Sequence, residues 1–296
     1  MSKKFKFVFL KIIIIYIVCT NIKCTQDLTA TIPSYITIET FDYDGNTHHS
    51  TPYPNTHNST NITDVWITMN GQALGAFEIP CKIPILDSGS HSFIMYPGIK
   101  VNGIAGNRIK YPFYRTFTTD TIIVKDETIT ISPTTSYINQ VVLDLNPEGQ
   151  FELAGNGTIL EASSISDTNA IIQDQVVFQG NKSAAIYLDS INSYFDIRNI
   201  EPLDLKLNTF LEVNFKSNIR FNVGLIIINN SEMEEKKELI QLYATENWKK
   251  IYLDLTPLIS MGNMFSQFKI YFEGYYDETH IHNAVYLDNI KLISSK

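Results

Sequence analysis

Cysteine is scarce in this chain: three residues in 296, at positions 19, 24 and 81. Two of them fall in the first 24 residues, so a chain that loses that segment has no internal pair, unless Cys24 is retained and joins Cys81. Long apolar runs are also missing. Phe7 to Cys19 is the greasiest stretch, and Lys11 divides it below the roughly 20 apolar residues that a spanning helix needs. Basic residues are few, with 23 Lys and Arg against 31 Asp and Glu, a formal charge of −8. Lys3, Lys4, Lys6, Lys11 and Lys23 all sit at the N-terminus, so removing that segment brings the charge to about −13. Such a surface repels phosphate backbones, and no basic or aromatic cluster offsets it, which excludes nucleic acid as a partner. Also absent are a Gly-x-Ser-x-Gly elbow, a P-loop, a His-Glu-x-x-His helix and a nucleotide fingerprint. The chain therefore reads as a non-enzymatic binding or structural protein.

What is present begins with a lysine-flanked apolar segment at residues 1–24, the layout of a secretory signal. Cys24, followed by the polar Thr25-Gln26-Asp27, is the expected lipidation site, with Cys19 as the alternative. Neither is preceded by the leucine and small residue usual before such a cysteine, since Asn21-Ile22-Lys23 and Tyr16-Ile17-Val18 stand there instead. A lipid anchor would hold the protein on a membrane, and the expected location is the outer membrane or cell surface of a Gram-negative bacterium.

Beyond residue 24 the composition, 44% apolar and 12% aromatic, suffices for a packed core. No long amphipathic helix is legible. Short alternating segments rich in Ile, Val, Thr, Tyr and Phe follow one another, separated by turn residues. The spacing predicts an all-β chain of two β-sandwich domains. Residues 25–63 form a tether, a first strand (Pro33 to Ile38) and a polar surface loop with His48, His49 and His57; residues 64–146 form a small β-domain; residues 147–296 form a larger sandwich. Asn70-Gly71 between Val65-Trp66-Ile67-Thr68-Met69 and Leu74 to Glu78 is a hairpin signal. The boundary is expected near Asn146-Pro147-Glu148-Gly149, just before Gly155 and Gly157, and Ser231 to Lys237 is expected to be a hairpin tip.

Two resemblances follow. Val65 to Glu78, continuing through Pro80, Pro84, Gly89, His91 and Phe93-Ile94-Met95, resembles the PEGA or carboxypeptidase-regulatory-like β-domains, which implies a spacer or attachment module. Asn247-Trp248-Lys249-Lys250-Ile251-Tyr252-Leu253-Asp254-Leu255 and the closing Val285-Tyr286-Leu287-Asp288-Asn289-Ile290-Lys291-Leu292 resemble galactose-binding-like jelly rolls, including carbohydrate-binding modules. That likeness implies a jelly-roll second domain and a glycan, or another surface protein, as partner. Its sugar-stacking rings would be Tyr275 and Tyr276, in the loop Gly274 to His282, with Trp248 as a further candidate; packing in a surface loop, and in the core for Trp248, is the other reading. It also implies a structural calcium held by Asp288 and Glu161, although the ion needs six to eight oxygens; the other reading of Asp288 is a strand-end carboxylate bonded to backbone. No other cofactor is implied.

The alternative is a secreted hydrolase. Leu86-Asp87-Ser88-Gly89-Ser90 contains the core of an aspartic-protease signature, but that chemistry shares a proton between two aspartates. With no second Asp-Ser/Thr-Gly in the chain, Asp87 would need a homodimer; a tight turn explains the same residues. A glycosidase leaves no short motif. His280-Ile281-His282, near Asp277 and Glu278, could place two imidazoles on one strand face as zinc ligands, or form a polar loop.

Overall fold

The computed structural model describes residues 32–44, 59–153, 158–229 and 233–296. The leader with Cys19 and Cys24, the loop histidines His48, His49 and His57, Gly155, Gly157 and Ser231-Glu232 lie outside the described residues. The chain is all-β, in two sandwiches.

The first unit holds β1 (Ser34–Ile38), β2 (Asp42–Tyr43), β3 (Asp64–Met69), β4 (Gln72–Glu78), β5 (Cys81–Ile85), β6 (Gly89–Lys100), β7 (Arg108–Lys110), β8 (Phe117–Ile123), β9 (Thr128–Thr130) and β10 (Thr134–Thr135). Alternation explains its layers. Ile36, Ile38, Ile83 and Ile85 project from the β5-β1-β9 sheet onto Val65, Ile67, Phe93 and Met95 of the β4-β3-β6-β7 sheet. β1 is thus a full member of this unit. Asn70 and Gly71 both have positive φ, 51° and 80°, as the tight β3–β4 hairpin requires. β8 follows a segment in which Tyr114 forms an isolated bridge to Tyr137.

The second unit comprises β11 (Val141–Asp144), β12 (Leu160–Ala162), β13 (Ala170–Gln173), β14 (Ser183–Leu188), β15 (Tyr194–Asn199), β16 (Phe210–Ser217), β17 (Phe221–Ile228), β18 (Glu234–Leu242), β19 (Lys249–Asp254), the one-turn α1 (Thr256–Ile259), β20 (Gln267–Tyr275) and β21 (Asn283–Ser295). Sheet one runs β13-β14-β21-β16-β19, with β11 added along β21; sheet two runs β12-β15-β20-β17-β18. Leu211, Val213, Phe215, Leu253, Val285 and Leu287 of the first meet Phe195, Ile197, Val223, Leu225, Ile270 and Phe272 of the second, making a jelly-roll core. The expected hairpin tip through Lys237 is corrected here: Glu234 to Lys237 are the first residues of β18. Their charges fit a strand because the outer face of sheet two is itself charged; Lys236 Nζ lies 3.0 Å from Asp196 Oδ1 and 2.7 Å from Glu273 Oε2.

β21 is buried along nearly its whole length. Its inner face meets the jelly-roll core, and part of its outer face is covered by the first unit. Ile99, Val101, Tyr111, Phe113, Tyr114 and Tyr137 cover Phe210, Tyr252 and Ile293 on the outer face of sheet one. Hydrogen bonds to main-chain carbonyls cross the junction too. Asn102 N–H donates to Tyr252 O at 2.8 Å, and Asn61 Nδ2 donates to Lys250 O at 2.9 Å.

At the centre of this junction stands Glu212, wholly buried. Tyr111 Oη donates to its Oε1 and Tyr137 Oη to its Oε2, each at 2.7 Å; Lys250 Nζ lies 2.7 Å and Lys291 Nζ 3.5 Å from Oε2. Burial pushes the carboxyl up, yet the charges of Lys250 and Lys291 and the hydrogen bonds from Lys250 and Tyr111 outweigh it and bring it down to about 2. Lys291 is driven down to about 7 by burial and then by Lys250, against the pull of Glu212.

Asp288, also on the outer face of sheet one and wholly buried, holds the loop after β13. Its Oδ2 accepts the N–H groups of Phe178 and Gln179 at 3.2 Å each, and its Oδ1 that of Asn289 at 2.8 Å. Burial raises its carboxyl to about 7 despite these donors. Glu161 belongs to the outer face of sheet two, where Lys269 Nζ lies 2.9 Å from it. The expected calcium pair is therefore corrected: the two carboxylates stand on opposite outer faces and cannot share an ion.

Two outcomes are expected. Glu212→Gln leaves two buried amines without their counter-charge and should cost roughly 3–5 kcal/mol in urea unfolding; a change below about 1 kcal/mol would contradict the role given to this carboxylate. Asp288 has a folded pKa above its unfolded value near 3.9, so the folded state keeps its proton longer and stability falls as pH rises from about 4 to about 7, by at most about 1.4 kcal/mol per pH unit. Glu212 acts below this window and Lys291 above it. Asp288→Asn should flatten the decline in unfolding measured across that range; an unchanged slope would show that another group causes it.

Candidate functional site

The outer face of sheet two is built by side chains that alternate away from the core. Asp196 and Arg198 come from β15, Lys269, Tyr271, Glu273 and Tyr275 from β20, Asn222 and Gly224 from β17, and Lys236 and Glu238 from β18. Gly224 is required by its neighbour, because a Cβ there would lie 2.1 Å from Lys237 O and 2.7 Å from the Tyr271 ring. With no side chain in the way, Tyr271 lies against β17, and Lys236 Nζ sits 4.2 Å above its centroid. Arg198 pairs with Glu234, and Lys269 with Glu161, so the middle of this face is closed by its own ion pairs.

Toward the end of the sheet that carries Tyr275 the face opens. The rings of Tyr194 and Tyr275 lie 4.8 Å apart at a 37° tilt, and Tyr275 is 64% exposed. Tyr194 Oη donates to Glu273 Oε1 at 3.1 Å; burial, then Asp196 and Glu273, hold its phenol above the ordinary range, so it stays a donor. Beside the ring pair is a cleft of about 650 Å³ lined by Arg220, Asn222, Gln241, Glu273, Tyr275 and Asp277, among others. Gln241 Nε2 donates to Asn222 Oδ1 and Asn222 Nδ2 to Glu238 Oε2, both at 2.9 Å, which orients the amides along the wall. An exposed aromatic face beside ordered amides and carboxylates can stack on an apolar ring face and bond the hydroxyls around it.

The other sequence candidates are dispersed. Tyr276 also lines the cleft but packs partly against the jelly-roll core, with its N–H bonded to Ser193 O. Trp248 is on the opposite sheet. It is half-buried just before β19, with its ring 5.8 Å from Phe178 and 6.4 Å from Tyr286, in a row that Tyr187 extends at 6.0 Å. His280 and His282 lie in the loop before β21, not on a strand, and both are exposed. Asp277 Oδ1 accepts from the N–H and Oγ1 of Thr279, and among the described residues no cluster of three or more His, Cys, Asp or Glu is arranged for a metal. Asp87 occupies the exposed turn before β6, with its Oδ1 accepting the N–H of Ser88 at 2.9 Å. Sequence reasoning missed Tyr194, Glu273, Asn222 and Gln241. Strand alternation was the available signal, but the pairing of distant strands that gathers them was not legible.

No family model matches the chain, and no curated protein matches it. Solved structures with a similar course include the family 30 carbohydrate-binding module of a cellulosomal cellulase of Clostridium thermocellum, 14% identical over 48% of this chain and 94% of that one, TM-score 0.36. A family 61 module in complex with β-1,4-galactotriose is 12% identical over 51% and 97%, TM-score 0.33. A carbohydrate-binding module of the β-sandwich superfamily, described as promiscuous in specificity, is 11% identical over 88% and 98%, TM-score 0.36. At such identities and TM-scores the likeness assigns neither ligand nor activity to this chain.

Proposed function

We propose that this protein is an exported, lipid-anchored surface protein whose second unit binds a neutral glycan at the open end of sheet two, while the first unit serves as spacer and dock. The observation that carries this reading is the exposed Tyr275 ring, paired with Tyr194 and bordered by a cleft of oriented amides and carboxylates. Asp277 and Glu278 outnumber Arg220 along that cleft, Glu273 being paired with Lys236, and this excess of negative charge disfavours an anionic sugar. Export and anchoring rest on the lysine-flanked leader and on Cys24, with the outer membrane as destination.

Affinity electrophoresis of the purified chain through gels containing neutral polysaccharides should show retardation by at least one of them, and Tyr275→Ala should weaken it about tenfold, or about 1.4 kcal/mol. Trp248→Ala should leave it within about twofold. Retardation lost with Trp248 but kept without Tyr275 would move the site to sheet one, and no retardation across the panel would remove the glycan reading. Separately, cells fed a labelled fatty acid should transfer label to the wild-type protein and not to Cys24→Ser. Label that persists in that variant and disappears in Cys19→Ser would assign the anchor to Cys19.

A further inference from the structure

The junction between the units brings an amine, a carboxamide and a carboxylate together on one sheet face. Asn214 of β16 and Lys250 of β19 stand directly opposite each other in the strand register, and Glu212 is two residues along β16 on the same face. All three are buried, with exposures of 0%, 6% and 0% for Asn214, Lys250 and Glu212. The Asn214 amide is half satisfied. Its Oδ1 accepts a hydrogen bond from Ser59 Oγ at 2.7 Å, whereas its Nδ2 has no hydrogen-bond partner among the described residues. Lys250 Nζ is 2.7 Å from Glu212 Oε2 and 5.4 Å from the centroid of the Tyr252 ring, and makes no hydrogen bond of good geometry among the described residues. Buried polar groups left in this way are costly and call for an explanation.

The charge count points the same way. Two amines surround one carboxylate in a site lined by tyrosine and phenylalanine rings, and burying an excess cation there is unfavourable. Lys291 is accordingly driven down to about 7 by burial and then by Lys250, so near neutrality Lys291 is available in its uncharged form as a proton acceptor in this cluster.

We propose that Lys250 and Asn214 become joined by an intramolecular isopeptide bond, with Glu212 as the proton-transferring catalytic residue. Lys291 in its uncharged form takes one proton from the Lys250 ammonium, the freed Nζ attacks Cγ of Asn214, and the amide oxygen takes up the developing negative charge while bonded to the Ser59 hydroxyl. Glu212 accepts the proton from Nζ and delivers it to Nδ2. The Cγ–Nδ2 bond breaks, ammonia departs and the Cγ–Nζ amide remains, with no change of oxidation state and no co-reactant. Exclusion of water from this site protects the amide from hydrolysis during the exchange. The product satisfies the orphaned atoms and leaves Glu212 and Lys291 as a one-to-one pair. The bond staples two neighbouring strands of sheet one, and the loop it closes, from 214 to 250, contains β17 and β18 of sheet two, so it restricts the unfolded chain as a disulfide would.

The test is mass spectrometry of the folded chain as purified. The intact protein should be lighter than its sequence by one ammonia, and trypsin should release a branched peptide joining residues 207–216 to residues 250–269. Asn214→Ser and Glu212→Gln should each restore the full mass and the separate peptides. Full mass in the wild-type protein overturns the proposal without reference to any variant. An ammonia deficit with unbranched peptides, the signature of a succinimide, also overturns it, as does a branch placed at Lys291.

Discussion

Glu212 is a carboxylate with no access to water, and it survives in charged form because two phenols and two amines converge on it from four different segments. Tyr111 and Tyr137 come from the first unit and its connection to the second, and Lys250 and Lys291 from β19 and β21. An isolated jelly roll would expose Glu212 and both lysines on the outer face of a sheet, an ordinary solvated position. Docking of the first unit turns the same residues into a buried network, in which removing one member strands the others. The two sandwiches therefore depend on one another through a polar contact, with a ring of aromatic edges, Tyr111 to Phe210 at 5.4 Å and Tyr111 to Tyr252 at 4.9 Å, excluding water around it.

This arrangement decides which surface is free. A β-sandwich has two outer faces. Here a large part of sheet one's is occupied by the first unit and by the loop that Asp288 holds. Sheet two retains its face, and among the described residues its Tyr275 end is open, since Lys236, Arg198 and Lys269 neutralise the acids along its middle. A shallow cleft with one exposed ring pair suits a ligand with many hydroxyls and one apolar face, which is the chemistry of a sugar ring.

The all-β architecture was legible because period-two alternation is local. Asn70-Gly71 and the run Phe221 to Ile228 each specify their element from neighbouring residues alone. β18 was not legible. Glu234 to Lys237 carry four consecutive charges, and only the partners Asp196, Glu273 and Arg198, far away in sequence, show that this is a strand face. Glu212 was hidden for a related reason: Leu211-Glu212-Val213-Asn214-Phe215 has the pattern of a half-exposed strand, and nothing local reveals that a second unit covers the polar half. The candidate rings were chosen by residue type. Tyr275 and Tyr276 therefore entered with Trp248 behind them, although strand order places Tyr275 and Trp248 on opposite sheets, and their mates Tyr194 and Tyr286 went unnoticed.

The claim that docking leaves the Tyr275 end of sheet two as the recognition surface can be tested directly by hydrogen–deuterium exchange on the whole chain, with and without a neutral oligosaccharide in excess. The account predicts added protection confined to the segments around Asn222, Gln241 and Glu273 to Asp277, with exchange around Trp248 and Tyr286 unchanged. Protection centred on Trp248, Tyr286 and Tyr187 would contradict it.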